Sequence, residues 1–260
     1  MAGDNGMSKT IYFFWEGSHL PFLEYITFYS FRAHNPDWKI VLMHKVNGGK
    51  ERWLRYTKEH FFKREKCTNY FDRLKDLNVD IIDTKEIYDF SDKDIAFVHA
   101  KDILNWHVLA ELGGVVADTD IIFQRSIDKL YADFGNSKIG LISFIDHPKK
   151  DYIPVSVMIG NKSDFFKETR ENALRRYNPI MYECCGTASI PYKDLNIISE
   201  RFPGEVYRID EKTFFPFTHT DFVAAMDLIH NKISTDLLPT DNEAYYGLHW
   251  YGGNITVDMN

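Results

Sequence analysis

Between Thr10 and Ile82 the apolar residues fall into two kinds of run. Thr10 to Trp15 (Thr-Ile-Tyr-Phe-Phe-Trp) is unbroken and rich in β-branched and aromatic side chains, so it predicts a strand buried on both faces and closed by Glu16-Gly17. Pro21 to His34 instead spaces Phe22, Tyr25, Ile26, Tyr29 and Phe31 at helical intervals and ends in the turn Asn35-Pro36-Asp37. Trp38 to His44 predicts a second strand, Glu51 to Arg73 a charged helix with apolar Trp53, Leu54, Phe61 and Phe62, and Val79 to Ile82 a third strand. Further on, Ala100 to Leu112 predicts a helix, Val115 to Ala117 a short strand, Ile139 to Phe144 and Val155 to Ile159 two more, and Lys162 to Tyr177 a polar helix. Strands alternating with helices imply an α/β fold whose central sheet is mainly parallel and covered on both faces. In such sheets ligands bind beyond the carboxyl ends of the strands. No repeat, low-complexity tract or linker divides the chain, so a single domain over residues 10–260 is expected, preceded by a flexible tail at 1–9.

The candidate chemistry sits where one of those strands ends. Residues Gly113 to Asp120 read Gly-Gly-Val-Val-Ala-Asp-Thr-Asp. Side chains two apart on an extended segment share a face, so Asp118 and Asp120 can reach one small volume. Two hard oxygen donors suit Mg²⁺ or Mn²⁺, which take one or two protein carboxylates and fill the remaining positions with water and substrate phosphates. Placing two carboxylates side by side after an apolar run is costly unless a cation neutralises them. The alternative is a polar loop with both aspartates in water.

Composition narrows the partners. The chain has 260 residues, 44% of them hydrophobic and 15% aromatic, enough for a substantial core and too apolar for disorder. A formal net charge of −7 without a long basic run argues against nucleic acid, which needs clustered Lys and Arg. Three cysteines, two of them adjacent at Cys184-Cys185, supply neither a disulfide framework nor a zinc spacing. The nine histidines other than His249 form no zinc motif, and phosphate-loop and nucleophile-elbow patterns are absent. No stretch reaches the roughly 18 apolar residues that span a bilayer, and the polar N-terminus is unlike a signal peptide. A cytoplasmic location is expected, with peripheral membrane association left open.

Trp15-Glu16-Gly17 after the first strand, Asn35-Pro36-Asp37-Trp38 before the second, Lys101-Asp102-Ile103-Leu104, Leu112-Gly113-Gly114-Val115 and Ala117-Asp118-Thr119-Asp120 together resemble the DXD-containing sugar transferases. That group includes the yeast initiating mannosyltransferases, capsular polysaccharide transferases and the catalytic domains of clostridial glucosylating toxins. The resemblance runs from about Ile11 to Gly253 and is most specific from Asp102 to Asp120. It implies a GT-A fold, a nucleotide-sugar donor such as a UDP- or GDP-sugar, a divalent metal (Mn²⁺ or Mg²⁺) and retention of anomeric configuration.

Carried over residue by residue, the resemblance makes Asp118 and Asp120 the metal and catalytic carboxylates. His249, in Leu248-His249-Trp250-Tyr251-Gly252-Gly253, becomes a third metal ligand, a role suited to neutral imidazole. Asp102 becomes a catalytic residue that positions the donor. Phe14, Trp15 and Gly17 at the end of the first strand, Thr119 between the aspartates, and Trp250 with Gly252 complete the nucleotide-sugar site. Trp15 has the alternative of a core tryptophan, Asp102 that of a first-turn carboxylate facing the helix dipole, and His249 that of a packed aromatic.

Two positions depart from the pattern. Asn105, three residues from Asp102 and so on the same helical face, stands where the group usually carries arginine, and Asn254 stands where tryptophan is frequent. Asparagine offers hydrogen bonds without charge, which bears on donor choice. The expected function is metal-dependent, retaining transfer of a sugar to a glycan hydroxyl, as in polysaccharide biosynthesis. The rivals are a degenerate nucleotide-sugar or glycan-binding protein of the same fold, for which the two asparagines speak, and a metal-dependent phosphohydrolase.

Overall fold

The structure is a computed structural model that describes residues 8–45, 68–89, 95–144, 152–216 and 245–250. Gly252, Asn254 and most of the expected Glu51–Arg73 helix therefore lie outside the described residues; of that span only residues 68–73 are described, and Phe71–Leu77 forms a 3₁₀ helix.

Among the described residues seven strands form one sheet, in the order β3-β2-β1-β4-β7-β6-β8. They are β1 (Thr10–Glu16), β2 (Lys39–Lys45), β3 (Val79–Asp83), β4 (Gly114–Ala117), β6 (Ile139–Ile142), β7 (Val157–Gly160) and β8 (Val206–Ile209). β1 runs parallel to both β2 and β4, β2 to β3, and β6 to β8; only β7 runs antiparallel to its neighbours β4 and β6. A separate antiparallel pair joins β5 (Ile121–Phe123) to β9 (Gly247–His249). The mainly parallel sheet follows the sequence expectation. β5 and β9, three residues each, are too short for a periodic signal to reveal them, and β8 has no counterpart among the expected strands.

Two apolar layers flank the sheet, and β1 shows why its sequence has no polar face. Ile11, Phe13 and Trp15 point into the layer under α1 (Phe22–His34), while Tyr12 and Phe14 point into the layer under α3 (Phe97–His107) and α5 (Asp164–Arg176). On the α1 side Phe13 packs against Phe28 at 4.8 Å between ring centres, and Phe31 against Phe123 at 4.9 Å. Each such ring taken from water contributes about 1.5–3 kcal/mol. On the other side Trp106, Phe165 and Phe166 are fully buried. α3 begins three residues earlier than its periodicity suggested and widens into a π turn over Val108–Leu112, closed by the Gly113 N–H donating to the Val108 carbonyl.

The Asn-Pro-Asp-Trp turn is a tie point. Buried Asn35 accepts from the Ile127 N–H and the Ser126 hydroxyl and donates to the Phe31 carbonyl. Trp38 donates to Asp128 at the start of α4 (Asp128–Phe134), 2.8 Å away. Arg32 completes the knot, donating to the carbonyls of Leu77 (2.9 Å), Pro36 (2.7 Å) and Trp38 (2.9 Å). Removing it leaves those carbonyls without a charged donor. Arg32→Ala is expected to cost about 1–3 kcal/mol in urea unfolding, with ligand binding at the distant site unchanged.

Candidate metal and donor site

β1 and β4 are neighbours whose crossovers lie on opposite faces, α1 on one and α3 on the other. Their carboxyl ends therefore open a crevice at the point where the strand order reverses, the place ligands occupy in open α/β sheets. Asp118 follows directly on β4, at that crevice.

The two aspartates do not ride on one strand, as the alternation argument supposed. β4 ends at Ala117 and the chain bends through Thr119 and Asp120 before β5. Each aspartate is fixed by a different sheet. The Asp118 N–H donates to the Ser156 carbonyl (2.8 Å), prolonging the β4–β7 pairing, while the Asp120 carbonyl accepts from the Trp250 N–H (2.9 Å), prolonging the β5–β9 pairing. Thr119 between them is held by the Thr27 hydroxyl of α1, which donates to its carbonyl at 2.8 Å. The carboxylates still meet, but through tertiary hydrogen bonds.

β9 delivers His249 to the same place. One ligand atom each from Asp118, Asp120 and His249 lie within 4.8 Å of one another. The His249 Nε2 is 3.2 Å from Asp120 Oδ1, with side chains 10% and 19% exposed. That low exposure rules out the alternative of two aspartates in open water. Burial alone would hold the imidazole below its ordinary value, but Asp120 beside it more than offsets this and raises it. For Asp118, burial pushes the carboxyl up and the nearby Asp120 adds to this, against the opposing pull of Lys101.

Lys101 was not singled out as a site residue from the sequence, and it is central. Its Nζ lies 2.7 Å from Asp118 Oδ1 and 3.5 Å from Asp102 Oδ1, on side chains that are 21%, 21% and 8% exposed. Desolvation alone would favour the neutral amine, but Asp118 and then Asp102 outweigh it and keep the ammonium charged well above the usual lysine range. Its position one residue before Asp102 gave no sequence signal by itself, because the contact with Asp118 is made only by the tertiary structure.

The other expected residues are placed as follows. Asp102 is buried on α3, its carboxylate packed so closely on Gly186 that a Cβ there would lie 2.8 Å from Oδ2. Any side chain at position 186 would have to push that carboxylate aside. Asn105 is buried on the same helix. Trp15 is a core residue, 2% exposed, whose indole N–H donates to the His19 carbonyl. Phe14 packs on Phe97 at 5.2 Å. Gly17, at φ +89°, turns the chain out of β1 with open space around it, and its carbonyl lies 2.8 Å from His44 Nε2. Trp250 is buried, and its indole N–H meets no hydrogen-bond partner among the described residues, as is true of the Ser156 hydroxyl. Those two belong to the residues whose backbones hold the aspartates, and buried donors of this kind call for a water or a ligand oxygen.

The donor set suits a divalent cation. Two carboxylates and an imidazole are ligands for Mn²⁺ or Mg²⁺, and among the described residues no thiolate joins them: the buried Cys184 and Cys185 thiols donate to the carbonyls of Asn178 and Ala173.

Comparison with known proteins points the same way. The family described as "glycosyltransferase sugar-binding region containing DXD motif" matches residues 22–134. No curated protein sequence matches. Among solved structures, the glycosyltransferase GlyE of Streptococcus pneumoniae TIGR4 superposes with a TM-score of 0.50 at 17% identity over 94% of this chain and 54% of that one, so the chain spans about half of that structure. The PaToxG glycosyltransferase gives 0.49 at 18% identity over 76% and 71%, and the galactosyltransferase LgtC, solved with donor and acceptor sugar analogs, 0.46 at 15% over 93% and 87%. Within the described residues no helix is long and apolar enough to cross a membrane. The matched region spans α1, α3 and both aspartates, so this part of the chain is similar to the DXD-containing sugar-binding region, and the fold is the GT-A type that GlyE shares.

Proposed function

We propose that the chain is a metal-dependent, retaining glycosyltransferase that moves a sugar from a UDP- or GDP-sugar to a glycan hydroxyl. The observation that carries this reading is the convergence of Asp118, Asp120 and His249 within 4.8 Å at the carboxyl end of β4. A bound Mn²⁺ or Mg²⁺ supplies charge stabilisation for the departing nucleoside diphosphate. Asp118, Asp120 and His249 hold that ion. Asp102, fixed against Gly186, presents a carboxylate that accepts hydrogen bonds from donor-sugar hydroxyls. The Trp250 and Ser156 donors face the negative charge of the same ligand. Burial of these groups keeps water from the reacting bond. Retention follows if the acceptor hydroxyl attacks on the face the leaving group vacates, a route that asks for no protein nucleophile. Polysaccharide assembly is the setting this chemistry fits.

The test is incubation with Mn²⁺ and a panel of UDP- and GDP-sugars. Expected is nucleotide release, with a glycoside of unchanged anomeric configuration by NMR once an acceptor is supplied. Activity is expected to vanish with a chelator and to return with added Mn²⁺. By calorimetry, UDP or GDP should bind only when the metal is present, because the diphosphate oxygens complete the coordination shell. Equal affinity in excess chelator would contradict the metal assignment, and inverted product would contradict retention.

A further inference from the structure

Lys101 holds two carboxylates of different duty. Asp118 belongs to the group of metal-type ligands, and Asp102, on α3, is the carboxylate that the proposed function assigns to the donor sugar. A single ammonium sits between them, at 2.7 and 3.5 Å. One turn further along α3 the buried residue is the neutral Asn105, so that position adds no positive charge. If Asp118 is a metal ligand, the ammonium and the metal are rivals for the same carboxylate. Like charges cannot share one carboxylate oxygen at close range without strong repulsion.

A lysine has what such a displacement requires. Its charge is a compact point on a flexible four-carbon stem, with three donors that can be re-aimed. Asp102 stays beside it as an anchor when Asp118 is given up. The nearest new anion is the diphosphate of the donor, which must lie against the metal and its carboxylates.

We propose that Lys101 is a donor-positioning residue: it neutralises Asp118 in the metal-free protein and, once Asp118 binds the metal, transfers its ammonium to the nucleoside diphosphate. The assignment rests on the reading of Asp118, Asp120 and His249 as metal ligands. It gives Lys101 opposite effects on two ligands. The side chain weakens binding of the bare metal, because it competes for Asp118. It strengthens binding of the nucleotide, because it adds a charged hydrogen bond to the phosphates.

The experiment uses the full chain and its Lys101→Met, Lys101→Gln and Lys101→Arg variants. Calorimetry measures Mn²⁺ alone, then UDP and GDP at saturating Mn²⁺, and thermal unfolding is followed in chelator. Both neutral variants are expected to bind Mn²⁺ about tenfold tighter, by the size of effect a neighbouring unit charge exerts. They should bind the nucleotide about tenfold weaker. Both should melt several degrees lower without metal, and Lys101→Arg should restore nucleotide affinity.

A purely structural ion pair predicts the melting loss alone. Unchanged Mn²⁺ and nucleotide affinities, or affinities that fall together, overturn the assignment. Should the methionine variant fail to fold, the glutamine variant decides on the same criteria. If neither neutral variant folds, nucleotide affinity in the arginine variant decides, and its loss overturns the proposal. A parent chain that takes up no Mn²⁺, or neither nucleotide, overturns the metal-site reading itself and Lys101 with it. Normal parent binding with unaltered variants overturns only the role of Lys101.

Discussion

Asp118→Asn and Asp120→Asn are each expected to lower transfer by about 10²–10³-fold, the range seen when a charge-stabilising group is removed from an active site. Their effects on the metal-free protein should differ. Asp120 is next to Asp118 and pairs with His249 at 3.2 Å. Its amide replacement relieves repulsion between the two carboxylates and can still accept a hydrogen bond from the imidazole, so the melting temperature in chelator should hold or rise. Asp118 is the nearer counter-charge of a largely buried ammonium. Neutralising it leaves Lys101 with Asp102 at 3.5 Å, and breaking a buried pair from one side is costly. Asp118→Asn should therefore melt lower than the parent in chelator. Turnover at the parental rate in either variant would remove that residue from the site, and a rise in melting for Asp118→Asn would mean that Lys101 does not depend on it.

Gly114→Ala is expected to be strongly damaging for a single added methyl, costing about 3 kcal/mol or more in urea unfolding and taking activity with it. Gly114 opens β4 at φ +123°, a backbone conformation that L side chains rarely adopt. A Cβ there would stand 2.8 Å from the Thr10 carbonyl and 3.1 Å from the Tyr12 ring. The first of these is backbone of β1 and cannot swing aside, so relief requires β4 to move away from β1. That movement would carry Asp118 with it. Gly204→Ala is the control: φ is +77° but nothing lies within 4 Å, so only the backbone strain of about 1–2 kcal/mol is expected. Equal stability losses in the two variants would show that the clash is absorbed without shifting the strand.

Much of this fold was legible because buried strands and amphipathic helices leave strong periodic marks. β1, α1, β2, β3, β4 and α5 fall within a few residues of where those marks placed them, and the glycine pair did end a helix and begin a strand. The three-residue strands β5 and β9 escaped, because they have no period to read and exist through pairing with each other. The aspartate pair was legible as chemistry but not as geometry. Its convergence depends on hydrogen bonds to Ser156 and Trp250, partners remote in sequence. Lys101 was overlooked for the same reason. A lysine beside an aspartate on a helix is ordinary until tertiary structure carries Asp118 to within 2.7 Å of it. Trp15 shows the opposite difficulty, since its residue type fits both a base-stacking platform and the core in which it lies.

The β5–β9 pairing also sets the order in which the site is built during synthesis. Ile121 pairs with His249 and Phe123 with Gly247, so the strand that follows the aspartates waits for a partner from the other half of the chain. A ribosome adding roughly 5–20 residues per second exposes Asp118 and Asp120 seconds before His249 emerges. Once β7 has been made, Ser156 can hold the Asp118 backbone and Lys101 its carboxylate while β9 is still to come. The nascent chain thus has a counter-ion for its aspartate before His249 arrives.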